Sequence, residues 1–449
     1  MKKIALILAL CTLLGCLGGC GGQTDTPGTT QAPEAPALTG TVTIQGTPQA
    51  DAAVTAKAQL DQTDAKVIYE WALDGDVLSG FTGESCHVPV TAGGKKLTVS
   101  VKSADETVYS GSVTSEAMDV AAFSGTKMTL AGLYNDMKIL GRTPVDGTGI
   151  STAWPGTGFE IKVKSNGNPL KLGTNVGTNA SSFPYYSIYV DGELVERALV
   201  IGTMEYVLEL AAGEHTVTVF RDSANTPGFQ CKLEYIDFDG EILEKPADKA
   251  LYIEVVGDSI ACGLGSLGQY TKGVDWVNEE HSVSNSFGWY VAQDFDADVS
   301  VIAKGGIGAV KAAADKNMPQ IYMHINGYMD DTPYDFARKP DLVIVELGAN
   351  DGSFTEAEFS SGLKLVYQMI LQGYGQDTKI LWVGKNAKFC AAAEKIATEL
   401  GITPYAMTYK YGVSGSGPSI AAAAHPNKDE HRAYADAITQ FIKDNNLLP

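Results

Sequence analysis

Three residues far apart in this chain have the types and settings that nucleophilic chemistry needs: a serine, an asparagine and a histidine. The run Leu251 to Val256 is rich in β-branched and apolar residues and stops at Gly257-Asp258-Ser259. Such residues favour extended backbone while Gly and Asp favour a sharp turn, so Ser259 is expected just beyond the carboxyl edge of a strand. In an open α/β sheet that edge is where ligands bind. A serine hydroxyl is a weak nucleophile at its free pKa; it needs a base within hydrogen-bond reach and donors for the oxyanion it creates. A second buried-looking run, Asp341 to Leu347, ends in Gly348-Ala349-Asn350-Asp351, and a third, Val299 to Ala303, enters Gly305-Gly306-Ile307-Gly308. His425-Pro426-Asn427 precedes an amphipathic segment that reaches about Leu448. The predicted roles are nucleophile for Ser259, base for His425, and oxyanion donors in the Asn350 amide and the backbone N–H groups of Gly306 and Ser259.

The elements that must position these residues follow from periodicity. From about residue 249 onward, strand runs alternate with helical spacing over Asn285 to Asp294, Phe359 to Gln372, Ala387 to Leu400 and Asn427 to Asp444, and Lys379 to Val383 is a further strand. Alternation of this kind implies a parallel sheet covered on both faces. Residues 118–248 instead carry alternating strands without crossover helices, with turns at Asp191-Gly192 and Ala212-Gly213, and predict a jelly-roll β-sandwich. Residues 38–117 hold shorter strands at regular spacing around Trp71 and are similar to the immunoglobulin-like β-sandwich modules of bacterial surface proteins, with Trp71 in the core and the module serving as a spacer. The expected class is therefore multidomain: an immunoglobulin-like β-sandwich, a jelly-roll β-sandwich, and an α/β/α domain over residues 249–449.

The ordered matches at successive strand ends resemble the SGNH (GDSL-type) hydrolase superfamily, in which a serine, a glycine, an asparagine and a histidine act together; they map here to Ser259, Gly306, Asn350 and His425. The pairing with a preceding jelly roll narrows the resemblance to carbohydrate esterase family 2. It rests on Gly141-Arg142, the Trp154-Pro155-Gly156 turn, Tyr189 to Glu193 and Gly213 to Val217, and covers about residues 130–449. The resemblance implies removal of O-acetyl groups from plant polysaccharides or oligosaccharides, of xylan or mannan type, through an acetyl-enzyme. One position departs from the superfamily pattern: Ala422 stands where an Asp three residues before the histidine usually orients it. Loss of that carboxylate can cost ~10⁴ in rate where the imidazole is left in the wrong tautomer, but some members of carbohydrate esterase family 2 work with a Ser-His dyad. Two other readings stay open: a non-catalytic carbohydrate-binding surface protein, and a lipase or thioesterase with the same machinery. Tyr270 and Trp276, on the long loop after Ser259, are candidates for stacking on a sugar face, with loop packing as the alternative.

The amino terminus adds a location. Met1-Lys2-Lys3, an apolar run and Leu17-Gly18-Gly19-Cys20 have the pattern of a secretory signal over residues 1–20 and resemble a bacterial lipobox, with Cys20 as the lipidated residue and Cys16 as the competing site. Two or more acyl chains would anchor the protein stably. Residues 21–37 are poor in apolar bulk and read as a flexible tether, placing the rest at the outer face of a bacterial membrane, attached only by lipid.

Composition excludes several classes. A formal charge of −20 disfavours nucleic acid and anionic lipid surfaces. Beyond the amino-terminal segment, Cys86, Cys231, Cys262 and Cys390 form no disulfide framework, and no metal-ligand spacing is present, so neither a bridge nor a metal nor a cofactor is expected. Gly263-Leu264-Gly265-Ser266-Leu267-Gly268 matches a dinucleotide fingerprint only formally, since it starts several residues after the strand and lacks the acidic partner. The remaining histidines, His87, His215, His281, His324 and His431, are expected to be structural or solvent-facing, with His431 on a helix surface.

Overall fold

The computed structural model describes residues 35–176, 183–224, 231–268, 278–313, 315–327, 329–410 and 425–449. Cys16 and Cys20, Tyr270 and Trp276, and the position of Ala422 all lie outside the described residues.

The first module pairs Gly40–Gln45, Ala53–Leu60 and Ser85–His87 in one antiparallel sheet, and Val67–Leu73, Asp76–Val77, Lys96–Ser103, Ser112–Thr114 and Met118–Asp119 in another. Alternation puts every second side chain of Lys96–Ser103 inside, as period-two patterning requires. Trp71 is fully buried among Val42, Val54, Val99 and Val101, and its Nε1 donates to the Gly83 carbonyl at 3.1 Å. The Asp74-Gly75 turn takes left-handed φ values of 50° and 95°, the hairpin geometry that Asp-Gly favours.

The module also bonds to the domain that follows it. Asp51 reaches into the next domain, where its carboxylate accepts from Thr129 N (3.1 Å) and Thr129 Oγ1 (2.5 Å), while His87 Nε2 lies 3.0 Å from Asp51 Oδ1. Thr91 Oγ1 donates to Asp136 at 2.6 Å, and Ser79 bonds to Asn135.

The second domain is built on one long strand, Gly158–Val176. Its first half pairs with Ala212–Arg221, its second with Thr203–Leu208, and both halves with Cys231–Ile242. All these pairings are antiparallel, and they enclose a core that includes Phe159, Ile161, Val217, Val219 and Ile236.

The third domain carries a five-stranded sheet, all parallel, in the order Ala297–Ala303, Leu251–Gly257, Leu342–Glu346, Ile380–Gly384, Tyr405–Thr408. Its central strands are buried almost throughout, as expected where helices cover both faces. Helices Phe287–Asp294 and Lys428–Asp444 pack on one face; Glu356–Tyr374 and Ala387–Glu399 pack on the other. The chain leaves Leu251–Gly257 for a strand on one side and then crosses to a strand on the other, so the sheet's topological switch point lies at the carboxyl end of that strand. Ser259 is there.

The second and third domains share a buried polar junction. Arg142, fully buried, pairs with Glu254 at 3.1 Å, and Glu254 also accepts from the Tyr322 hydroxyl (2.7 Å) and the Tyr374 hydroxyl (2.9 Å). Trp154 is fully buried too, and its Nε1 donates to the Ile325 carbonyl at 2.9 Å. The Gly-Arg and Trp-Pro-Gly motifs of the sequence are thus contacts that hold the β domain to the α/β domain.

Candidate active site

The Gly257-Asp258-Ser259 turn is held by its own side chain and by the chain that follows. Asp258 Oδ1 accepts from Ile260 N at 3.0 Å, and Leu264 N bonds back to the Ser259 carbonyl. Ser259 is 6% exposed. Opposite it stands His425, just before the helix Lys428–Asp444, whose first N–H groups are capped by Asn427. His425 Nε2 lies 2.7 Å from Ser259 Oγ across 166 residues of sequence. That is the contact a serine nucleophile requires of its base.

The predicted donors assemble beside it. A Cβ on Gly305 would come within 4.0 Å of the Ser259 Cβ, and Gly306 adopts a left-handed φ of 78°, so the two glycines let backbone approach the nucleophile. Among the described residues, the N–H groups of Ser259 and Gly306 have no protein acceptor. Asn350 also arrives, but engaged: its Nδ2 lies 2.8 Å from the Ile307 carbonyl and 3.0 Å from Asp258 Oδ2. Both amide hydrogens therefore point at protein acceptors, and one of them must turn or be shared for Asn350 to meet an oxyanion.

Two acids lie beneath the nucleophile that sequence reasoning did not single out. Asp258 is fully buried and Glu346 is 1% exposed; Glu346 pairs in register with Gly257, the residue before Asp258, on the neighbouring strand. Burial raises the Asp258 carboxyl to about 6 and holds Glu346 well above the usual carboxylate range, the negative charge of Asp258 adding to the latter.

Two histidines flank the base. His281 Nδ1 accepts from Gly265 N at 2.9 Å, and burial, with His425 nearby, lowers it to about 4. His431 lies inside rather than on the helix surface. It is fully buried, its Nδ1 accepts from Phe287 N at 3.2 Å, and burial lowers it to about 3. Its positions relative to Tyr434, Ala435, Ile438 and Ile442 follow the helical period of a buried face, which was the available signal. The loop that carries His281 is held from the β domain: Arg197 donates to Asp222 (2.8 Å), to the Glu279 carbonyl (2.7 Å) and to the His281 carbonyl. Asp222 in turn accepts from Ser282 and Ser284. No short motif announces such a contact between domains.

Among the described residues no group of His, Cys, Asp and Glu is arranged to hold a metal ion. The described cysteines are unpaired.

Residues 253–444 match the family model for GDSL-like lipases and acylhydrolases. The C-terminal domain is a GDSL-type acylhydrolase domain. Over 334 residues the chain is 25% identical to an acetylxylan esterase / glucomannan deacetylase of Cellvibrio japonicus, a match covering 70% of this chain and 90% of that protein. It is also 25% identical over 225 residues to the cellulase/esterase CelE of Acetivibrio thermocellus, covering 47% of this chain but 26% of that longer protein. Among solved structures, the acetyl xylan esterase Est2A of Butyrivibrio proteoclasticus superposes with a TM-score of 0.63 at 19% identity, covering 72% of this chain and 99% of that one. A family two carbohydrate esterase from Clostridium thermocellum, in complex with cellohexaose, superposes at 0.61 and 21% identity, covering 70% and 100%. These superpositions extend well beyond the GDSL-type domain, so the β domain fused in front of it belongs to the shared architecture.

Proposed function

We propose that this protein is a carbohydrate esterase that removes O-acetyl groups from plant polysaccharides or oligosaccharides of xylan or mannan type. The observation that carries the reading is the 2.7 Å contact between His425 Nε2 and Ser259 Oγ at the switch point of a GDSL-type sheet. The similarity to the acetylxylan esterase / glucomannan deacetylase and to the cellohexaose-bound family two esterase supports it.

In this mechanism His425 takes the Ser259 proton as Oγ attacks the acetyl carbonyl. The oxyanion is met by the N–H groups of Ser259 and Gly306 and by Asn350, once its amide turns from the Ile307 carbonyl. The imidazolium then protonates the departing sugar oxygen, leaving acetyl-Ser259. Water, deprotonated by His425, hydrolyses that ester and returns the proton to Ser259. The formal charge of −20 suits a neutral ester better than an anionic one.

The test is hydrolysis of 4-nitrophenyl acetate compared with butyrate and octanoate esters, followed by acetate release from acetylated xylan and glucomannan. Preference for acetate and release from either polymer supports the reading. Preference for octanoate would make the protein a lipase or thioesterase, and polymer binding without turnover would make it a binding protein.

The same proposal places the enzyme at the outer face of a bacterial membrane, with residues 1–20 removed as a signal and Cys20 carrying lipid; the Leu17-Gly18-Gly19-Cys20 pattern supports it. Incorporation of labelled fatty acid that is lost in Cys20→Ala tests this.

A further inference from the structure

The acid pair under the nucleophile has a feature that simple burial does not explain. Glu346 Oε2 is inaccessible to solvent and has no hydrogen-bond donor among the described residues. The Glu346 carboxyl faces the Asp258 carboxyl and the Asp258 N–H instead. Two carboxylates in that position would repel each other, and one oxygen would be a buried anion without a donor, which is strongly unfavourable. A single proton removes both difficulties, because a neutral carboxylic acid is itself a donor.

Which acid carries it follows from the other contacts. Asp258 already accepts from Ile260 N and from Asn350 Nδ2, so it is the better solvated of the two as a carboxylate. Among the described residues, the Asp258 N–H is the one hydrogen bond that favours a charged Glu346. Of the other ionisable groups facing the pair, Lys385, beyond the Ile380–Gly384 strand, favours negative charge on both acids and so does not choose between them, Asp351 opposes it on Asp258, and the buried Cys262 thiol feels both acids and Lys304; the choice rests on the hydrogen bonds. Asp351 is itself taken up by the N–H groups of Ala309, Val310 and Lys311.

We propose that Glu346, as a neutral carboxylic acid, is a positioning residue of this site: it gives its O–H to the Asp258 carboxylate, and Asp258 so held fixes the Ser259 turn and the Asn350 amide together. Glu346 touches neither substrate nor nucleophile. It acts on geometry, and a donor misplaced by about 1 Å can cost ~10²-fold in rate. The inference deepens the esterase reading and rests on it for its kinetic consequence, though the protonation state does not.

The experiment compares wild type, Glu346→Gln and Glu346→Leu, all as the full chain. Infrared difference spectra of wild type against Glu346→Gln at pH 7 report the carboxylic acid directly, and kcat and KM on 4-nitrophenyl acetate report its effect. The expected result is a protonated-carboxyl band present in wild type and missing from the Gln variant. Glu346→Gln, whose amide N–H still donates to Asp258, keeps kcat within about 3-fold, while Glu346→Leu loses kcat by roughly 10–100-fold with KM nearly unchanged. Absence of the band, or a Gln variant that loses kcat as Leu is expected to, overturns the inference; should Leu fail to fold, the Gln variant and the band decide alone. Should wild type lack turnover while the band is present, the esterase reading fails and the protonated pair stands.

Discussion

Asp258 and Asn350 are 92 residues apart and meet at 3.0 Å, carboxylate to amide, so the residue before the nucleophile also orients the side chain expected to stabilise the oxyanion. The nucleophile turn at one strand end and the Asn350 turn at the next are thereby coupled, and a change at either should be felt at both.

Asp258→Asn tests that coupling. An amide in place of the carboxylate keeps the shape, but its NH₂ can face the Asn350 NH₂ as a second donor and it no longer accepts strongly from both neighbours. We expect kcat on 4-nitrophenyl acetate to fall by about 10²-fold with little change in KM, in a protein with near-native thermal stability. Equal kcat in the two proteins would show that Asn350 is positioned without Asp258.

Asn350→Ala should lower kcat by roughly 10²–10³-fold, the usual loss for one oxyanion donor. A loss below 5-fold would mean that its amide stays on Ile307 and Asp258 throughout turnover, leaving the oxyanion to Ser259 and Gly306.

His431 sets an acid limit on stability. Its imidazole is held neutral to about pH 3 in the fold but takes a proton from pH 6.5 downward when the chain unfolds. Protons therefore bind preferentially to the unfolded chain in that window, and stability falls as pH falls from 6.5 toward 3, by on the order of 5 kcal/mol at full effect. His281 adds a smaller loss between 6.5 and about 4. Asp258, raised to about 6, acts in the opposite sense, losing its contribution as pH rises from 3.8 to 6. The comparison that isolates His431 is urea unfolding of wild type and His431→Asn at pH 7 and pH 4.5. The Asn side chain can still accept from Phe287 N, and the variant should lose less stability on acidification; parallel losses would contradict the assignment.

Arg142 and Glu254 bind the β domain to the α/β domain through a pair with no solvent access. Removing one partner leaves a buried charge, so Arg142→Ala should destabilise by about 3–5 kcal/mol. Calorimetry should show a lowered Tm; a Tm within 2 °C of wild type would mean that water reaches the junction.

How much of this was legible beforehand varies with the range of the interaction. Ser259, Asn350 and Gly306 could be placed because each follows a strand run that ends in a turn, a signal contained in about ten residues, and His425 because it immediately precedes an amphipathic helix. The parallel sheet followed from buried runs alternating with helical spacing. Glu346 could not be separated from the apolar run around it, since its role depends on register with Gly257 on the neighbouring strand. Arg197 and Asp222 act from another domain on the loop that carries His281, and nothing local marks them. His431 lies inside rather than on the expected helix surface, and only its helical period relative to Tyr434, Ala435, Ile438 and Ile442 marks the buried face.

The central claim is that Ser259 and His425 hydrolyse acetyl esters, and the most direct measurement is the turnover of 4-nitrophenyl acetate by the purified protein beside its Ser259→Ala and His425→Ala forms. The account predicts clear turnover in wild type and a loss of at least about 10³-fold in each variant, with acetyl-Ser259 trapped by acid quench and seen by mass spectrometry. Turnover unchanged by Ser259→Ala, or no acceleration by wild type over that variant on acetate or acetylated polysaccharide, would contradict it.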